Sequence, residues 1–164
     1  MKSSRFLLRA PIAVLTATLL AACATEPAAP VSVADTIARD PELSTLNSLV
    51  MQAGLTDTLK GAGPITVFAP TNDAFKGVPA KTMDDLAHDP ARLKAVITYH
   101  VVPAKLTAAD VKNGNVKTAQ GANVAVSKSG EFVTVEDAMV QHADIIATNG
   151  VVHTVDRVLL PPTP

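Results

Sequence analysis

ADIIATNGVVHTVDRVLLPP, residues Ala143 to Pro162, places an apolar run, an Asn-Gly pair and a second apolar run in succession. The pattern predicts a closing β-hairpin. Asn149 and Gly150 suit the two central positions of a type I′ turn, both of which need positive φ, and that turn matches the twist of its flanking strands. Ile145, Ile146 and Ala147 on one arm face Val151, Val152 and Val155 on the other. A two-stranded unit this apolar does not stand alone in water, so the rest of the chain must supply a core for it.

Upstream, the local signals are helical first and extended later. Ser32 with Asp35 forms a capping-box-like pair, and Asp40-Pro41 supplies an N-cap followed by proline at the first helical position. Leu43, Leu46, Val50 and Ala53 share one helical face, which Gly54 closes. Ile65 to Ala69 is a buried-strand signature between Pro64 and Pro70. Thr71 then caps a new turn, with Asp73 at the positive end of its dipole and Phe75 as its core anchor. Thr82 with Asp85 and Asp89-Pro90 repeat the capping patterns, and the second opens a helix with Leu93, Val96 and Ile97 inside. Tyr99-His100-Val101-Val102 reads as a strand stopped by Pro103. Thr107 and Asp110 cap a short helix ending near Asn113-Gly114. Beyond it Val124 and Val126 alternate with small polar residues, Lys128-Ser129-Gly130 turns, and Phe132, Val133 and Val135 continue as a strand. Helices first and strands second predict an α+β domain rather than a parallel βαβ sheet.

The N-terminus carries an address. Lys2, Arg5 and Arg9 precede an uncharged run from Ala10 to Ala22, near the roughly 7 to 15 residues of a signal core and short of the ~20 that span a bilayer. Leu20-Ala21-Ala22-Cys23 then resembles a bacterial lipobox. This divides the chain into a signal peptide (1–22), a lipid-bearing Cys23 with an Ala/Pro-rich tether (23–31), and a domain over 32–162. Cys23 is the single cysteine, so packing rather than disulfides must stabilise the domain. Taking Lys2, Arg5 and Arg9 from 14 basic residues leaves 11 against 15 acidic ones, which argues against nucleic acid as a partner. Ala24 is not the aspartate that, by resemblance, keeps lipoproteins in the inner membrane. The expected location is therefore across the inner membrane and lipid-anchored, at an outer membrane facing the periplasm or at the cell surface.

Three segments together resemble the fasciclin domain. Thr66-Val67-Phe68-Ala69-Pro70-Thr71-Asn72-Asp73-Ala74-Phe75 is similar to the family's first box, and Tyr99-His100 to its tyrosine-histidine motif. Asn149-Gly150-Val151-Val152-His153 with Asp156, Val158 and Leu159 is similar to its second box. The resemblance implies a β-wedge of two sheets with helices packed along one side, and a non-catalytic adhesion role toward a protein or extracellular-matrix partner. Animal members assign integrin contact to the tyrosine-histidine segment, here Tyr99, His100, Val101 and Val102. They assign a second contact to a Glu-Pro-Asp-Ile-Met sequence, of which Asp144 and Ile145 remain here.

Residue chemistry leads the same way. His100 and His153 sit in apolar strands, where a neutral imidazole bonded to backbone or to a cap such as Thr71 or Asp73 is the simple reading. The alternative is a periplasmic small-molecule or metal-binding lipoprotein that uses both histidines and nearby aspartates. It lacks a His-x-x-x-His or cysteine pair, and zinc needs three or four converging ligands. No Gly-x-Ser-x-Gly nucleophile is present. Asp84-Asp85 and Glu136-Asp137 are adjacent in sequence and so point apart. Gly61 to Gly63 precedes a strand rather than a phosphate-binding helix. No catalytic residue, metal or cofactor is implied, and the structural polar set is Thr71, Asp73, Asn149, Gly150 and His153. With no tryptophan and 3% aromatic residues, little remains for sugar stacking once Phe68, Phe75 and Phe132 enter the core.

Overall fold

The computed structural model describes residues 31–162; the signal peptide, Cys23 and all of the tether before Val31 lie outside them. The caps predicted from local pattern set the first elements. Ser32 accepts from the Asp35 amide at 3.2 Å and donates to its carboxylate at 2.7 Å, opening helix α1 (Val33–Arg39). Asp40 caps Glu42, and Pro41 opens a single 3-10 turn leading into α2 (Ser44–Gln52). Gly54, at φ +67°, lets the Leu55 amide reach back to the Val50 carbonyl at 3.1 Å and close that helix. Next come α3 (Thr56–Lys60), strand β1 (Ile65–Pro70), α4 (Asn72–Lys76), α5 (Ala80–His88) and α6 (Pro90–Tyr99). Asp89 accepts from the Ala91 and Arg92 amides, as the Asp-Pro pattern predicts. The Thr82–Asp85 pattern does not start a helix, because α5 begins at Ala80 and both residues lie within it.

The remaining strands are β2 (Val101–Val102), β3 (Gly114–Lys117), β4 (Asn123–Ser129), β5 (Phe132–Val135), β6 (Ala138–Ala147) and β7 (Gly150–Val155). Thr107 and Asp110 bond each other, hydroxyl to carboxylate at 2.6 Å, but close a single turn and no helix. The strand order is β2-β1-β7-β6-β5-β4-β3. β6 belongs to both halves: Ala138 and Met139 pair with β5, and Val140 to Ala147 pair with β7. The result is a wedge of two sheets hinged on one long strand. Every neighbouring pair is antiparallel except β1 and β7, which run parallel from Ile65↔Gly150 to Pro70↔Val155.

Burial follows the sequence period. β1 and β7 are almost continuously apolar and covered on both faces, as parallel neighbours require. Val67, Ala69 and Val152 point into a core with Ile37, Leu43, Leu46, Leu59, Leu93 and Ile97, so the helices pack along this one side. Phe68 and Val155 point the other way, into the wedge, against Tyr99, Val102, Val124, Val126, Val133, Val135 and Leu159. β4 alternates buried and exposed because only its inner face meets that core. The same parity corrects the assignment of Phe132 to the core. Val133 and Val135 point inward, so Phe132 points outward and is 66% exposed.

Candidate functional site

The tyrosine-histidine segment is not a continuous strand. Helix α6 persists through Tyr99, and His100 is its C-cap, with its amide donating to the Val96 and Ile97 carbonyls. Only Val101 and Val102 extend, pairing with Val67 and Thr66 before Pro103 ends the ladder. The His100 ring fastens backbone to backbone. Its Nε2 accepts from the Leu159 amide at 2.9 Å, so the proton sits on Nδ1, 2.8 Å from the Val96 carbonyl. Burial pushes the imidazole pKa down to about 4, against the upward pull of the Val96 bond. The Tyr99 hydroxyl donates to the Asn123 carbonyl at 3.2 Å and lies 3.4 Å from the Glu136 carboxylate. Burial, and then that negative charge, raise its pKa.

This placement corrects the expected contact surface. Tyr99, His100, Val101 and Val102 are 3%, 2%, 6% and 1% exposed, because the motif crosses between the two cores rather than over the surface. A partner could meet their side chains only by opening the fold.

The second carried-over segment lies elsewhere. The β6–β7 register slips between Val140 and His142 and again between His142 and Ile145. In the second irregularity Asp144 takes φ +58°, a left-handed conformation that aspartate tolerates better than most residues. Its carboxylate accepts from the Ala108 amide at 2.7 Å, and its own amide donates to His153 Nδ1 at 3.1 Å. His153 therefore carries its proton on Nε2, which faces the Leu106 carbonyl at 2.7 Å, and its ring stacks on Phe68 with centroids 5.6 Å apart. Neither histidine bonds Thr71 or Asp73. Thr71 instead caps α4 by accepting from Ala74, while exposed Asp73 pairs with Lys76 at 2.6 Å. Asp144 is exposed, Ile145 is half-buried against the helical core, and Ile146 is 68% exposed.

The closing turn also differs from expectation. Ala147 pairs with Gly150, so the central residues are Thr148 and Asn149, and neither they nor Gly150 have positive φ. Gly150 is needed for space. A Cβ there would lie 2.0 Å from the Ile65 carbonyl oxygen, and one on Gly63 would lie 1.8 Å from that of Asn149. Asn149 is a cross-link: its Oδ1 accepts from the Val33 amide, and its Nδ2 donates to the Leu59 and Gly61 carbonyls, all at 2.8 Å. Two further fasteners carry no sequence signal. Buried Thr66 donates to the Ala104 carbonyl and accepts from the Leu106 amide. Glu136, at φ +53°, accepts from the Ala125 amide.

Chemically, these residues form a set of fasteners between backbone segments. Both ring nitrogens of His100 and of His153 are engaged by backbone, which leaves neither ring a lone pair for a metal. Among the described residues no three His, Cys, Asp or Glu side chains converge as ligands, and no buried side-chain polar atom lacks a partner. The clefts are open and differ in chemistry: one of about 560 Å³ is mainly apolar, with Val96, Leu160, Pro161 and Pro162 beside Asp89 and Arg92, and others are polar. One, of about 300 Å³, is lined by Glu42, Thr71, Asn72, Asp73, Lys76, Gln141 and Asp156, where β1 and β7 end.

The α+β wedge, with His100 and His153 bonded to backbone inside it, defines the fold. The fasciclin domain family model matches residues 41–161, and the chain belongs to that family. It is similar to protein sll1483 of Synechocystis sp., 41% identical over 133 residues, covering 80% of this chain and 74% of that protein. It is also similar to the cell surface glycolipoprotein MPB83 of Mycobacterium bovis, 36% identical over 135 residues, covering 79% of this chain and 60% of that one. In fold it is similar to a FAS1 domain pair from the insect cell adhesion molecule Fasciclin I. That match has a TM-score of 0.60 at 22% identity and covers 72% of this chain and 45% of the pair.

Proposed function

We propose that this chain is a non-catalytic interaction and adhesion module, held outside the cytoplasm by a lipid on Cys23, that binds a protein or matrix partner. In this reading residues 1–22 are the export signal, 23–31 the lipid-bearing tether and 32–162 the working domain. The observation that carries it is the conjunction of a lipobox-like Leu20-Ala21-Ala22-Cys23 with a fasciclin domain whose relatives include a cell surface glycolipoprotein. Support for the non-catalytic part comes from the His100 and His153 imidazoles, which are consumed in holding backbone. Of the carried-over contact positions, Asp144 is at the surface with Ile145 beside it, and these two are assigned to the partner contact. No cofactor, nucleic acid or sugar is required.

Two measurements test it. Wild-type protein should partition with membranes and Cys23→Ser should not; equal partitioning would remove the anchor. Asp144→Ala, with folding checked by circular dichroism, should weaken attachment of protein-coated beads to envelope or matrix fractions. Unchanged attachment would remove Asp144 from the contact. The metal-binding alternative requires stoichiometric metal in untagged protein, and the engaged ring nitrogens argue that none will be found.

A further inference from the structure

The chain enters the domain at one end only, and that end has a distinctive chemistry. The Val31 carbonyl accepts from the Thr148 amide at 2.9 Å and from its hydroxyl at 3.1 Å, so the tether leaves beside the β6–β7 turn. Asn149 and the Gly61–Pro64 loop sit against each other there, and Lys105 lines the same shallow cleft. Residues 61–64 and Thr148 are exposed and uncharged, Ile146 stands 68% exposed, and Lys60 and Lys105 flank them. Of the nearby carboxylates, Asp144 bonds the Ala108 amide, Asp35 bonds Ser32 and pairs with Lys60 at 3.7 Å, and Asp57 is exposed one turn before Lys60, so Lys105 is the cation on which the face relies. Strands β1 and β7 both run away from this end. Their six residues place the cleft of Glu42, Asp73 and Asp156 roughly 17 Å or more further out.

From this geometry, and resting on the lipid-anchor reading above, we infer that the Val31 end is a membrane-docking face. Ile146 enters the headgroup boundary, and Lys105 meets lipid phosphate of the bilayer that holds the anchor. Eight residues from Ala24 to Val31 span at most about 29 Å and as a coil about 16 Å, whereas a domain of this size is about 36 Å across. Only the surface near Val31 is therefore within easy reach of the lipid. An exposed aliphatic beside a lysine is a composition that interfacial surfaces use against anionic lipid. The opposite end, with Glu42, Asp73 and Asp156 beside Lys76, is presented to solvent.

Because acylation consumes the single thiol, an introduced cysteine gives one labelling site. Lipidated protein carrying a fluorophore at Ala62→Cys or at Lys76→Cys is bound to phosphatidylethanolamine–phosphatidylglycerol vesicles that contain a headgroup quencher. Both positions are exposed, so neither label disturbs packing. The expected result is several-fold stronger quenching at 62 than at 76, with the excess lost when Ile146→Asp and Lys105→Glu are added. Equal quenching at 62 and 76 overturns the docking face and leaves the anchor intact. An excess that survives the two substitutions also overturns it, since tether proximity alone then suffices. If unlabelled wild-type protein does not float with the vesicles, the anchor reading fails and the inference falls with it.

Discussion

Two regions of the domain bury an imidazole, and they do so with opposite protons. At the α6 C-terminus His100 donates from Nδ1 and accepts at Nε2, tying the helix to Leu159 with both bonds fully buried. At the β6 bulge His153 accepts at Nδ1 and donates from Nε2, tying Asp144 to Leu106 with both bonds only partly buried. One histidine staples core to core, and the other staples the core to a surface turn. The difference teaches that a buried histidine's role is set by the backbone on each side of it, and that a change at exposed Asp144 is felt in the wedge interior.

The sharpest way to break this comparison is to remove each ring. His100→Ala should cost on the order of 3–4 kcal/mol, because the Leu159 amide is left buried without an acceptor beside a cavity. His153→Ala should cost less, since water can reach the groups it frees. Urea denaturation of both variants checks this, and equal losses would dissolve the distinction. The next effect is acid sensitivity. His100 stays neutral in the fold to about pH 4, whereas its ordinary pKa is 6.5, so between those values the unfolded chain binds the extra proton. Its contribution is complete above about pH 6.5 and declines as pH falls toward 4, by up to about 3 kcal/mol. Melting temperature against pH should therefore slope less for His100→Gln than for wild type between pH 6.5 and 5.

Asp144 sharpens the other side. Asp144→Ala loses the Ala108 bond and keeps an unfavourable φ, costing about 1–2 kcal/mol, whereas Asp144→Gly loses the bond but relaxes the backbone and should cost less. The reverse order in thermal melts would mean that the bulge is not held by its torsion. The smallest expected change is at Tyr99. Tyr99→Phe removes the hydroxyl bonds to Asn123 and Glu136 at a cost of about 1 kcal/mol or less, because a hydroxyl bond nets little against water.

What was legible in the sequence was local. Ser32, Asp40, Thr71 and Asp89 cap where their spacing predicts, since a cap involves neighbours within three residues. Thr82 and Asp85 mislead for the same reason: three-residue spacing also occurs inside a helix. The parity of Val133 and Val135 could have excluded Phe132 from the core. The Asn149-Gly150 turn failed on tertiary grounds. Its glycine answers to the carbonyl of Ile65, and its asparagine to residues 33, 59 and 61, none of which is near in sequence. Asp144, Leu106 and His153 are likewise joined only by the fold. The family motifs placed the wedge correctly while leaving the exposure of Tyr99 and His100 unread, because a motif records identity and not depth.

The parallel pairing of β1 with β7 also sets an order of assembly. Joining residue 65 to residue 150 closes a loop whose entropy cost is about 4 kcal/mol before any core forms, and non-local pairings of this kind slow folding. A chain delivered N-terminus first cannot complete its central ladder until residues 150–155 have emerged. The final strand thus acts as a timer. It leaves the central ladder open until the other described strands have been made.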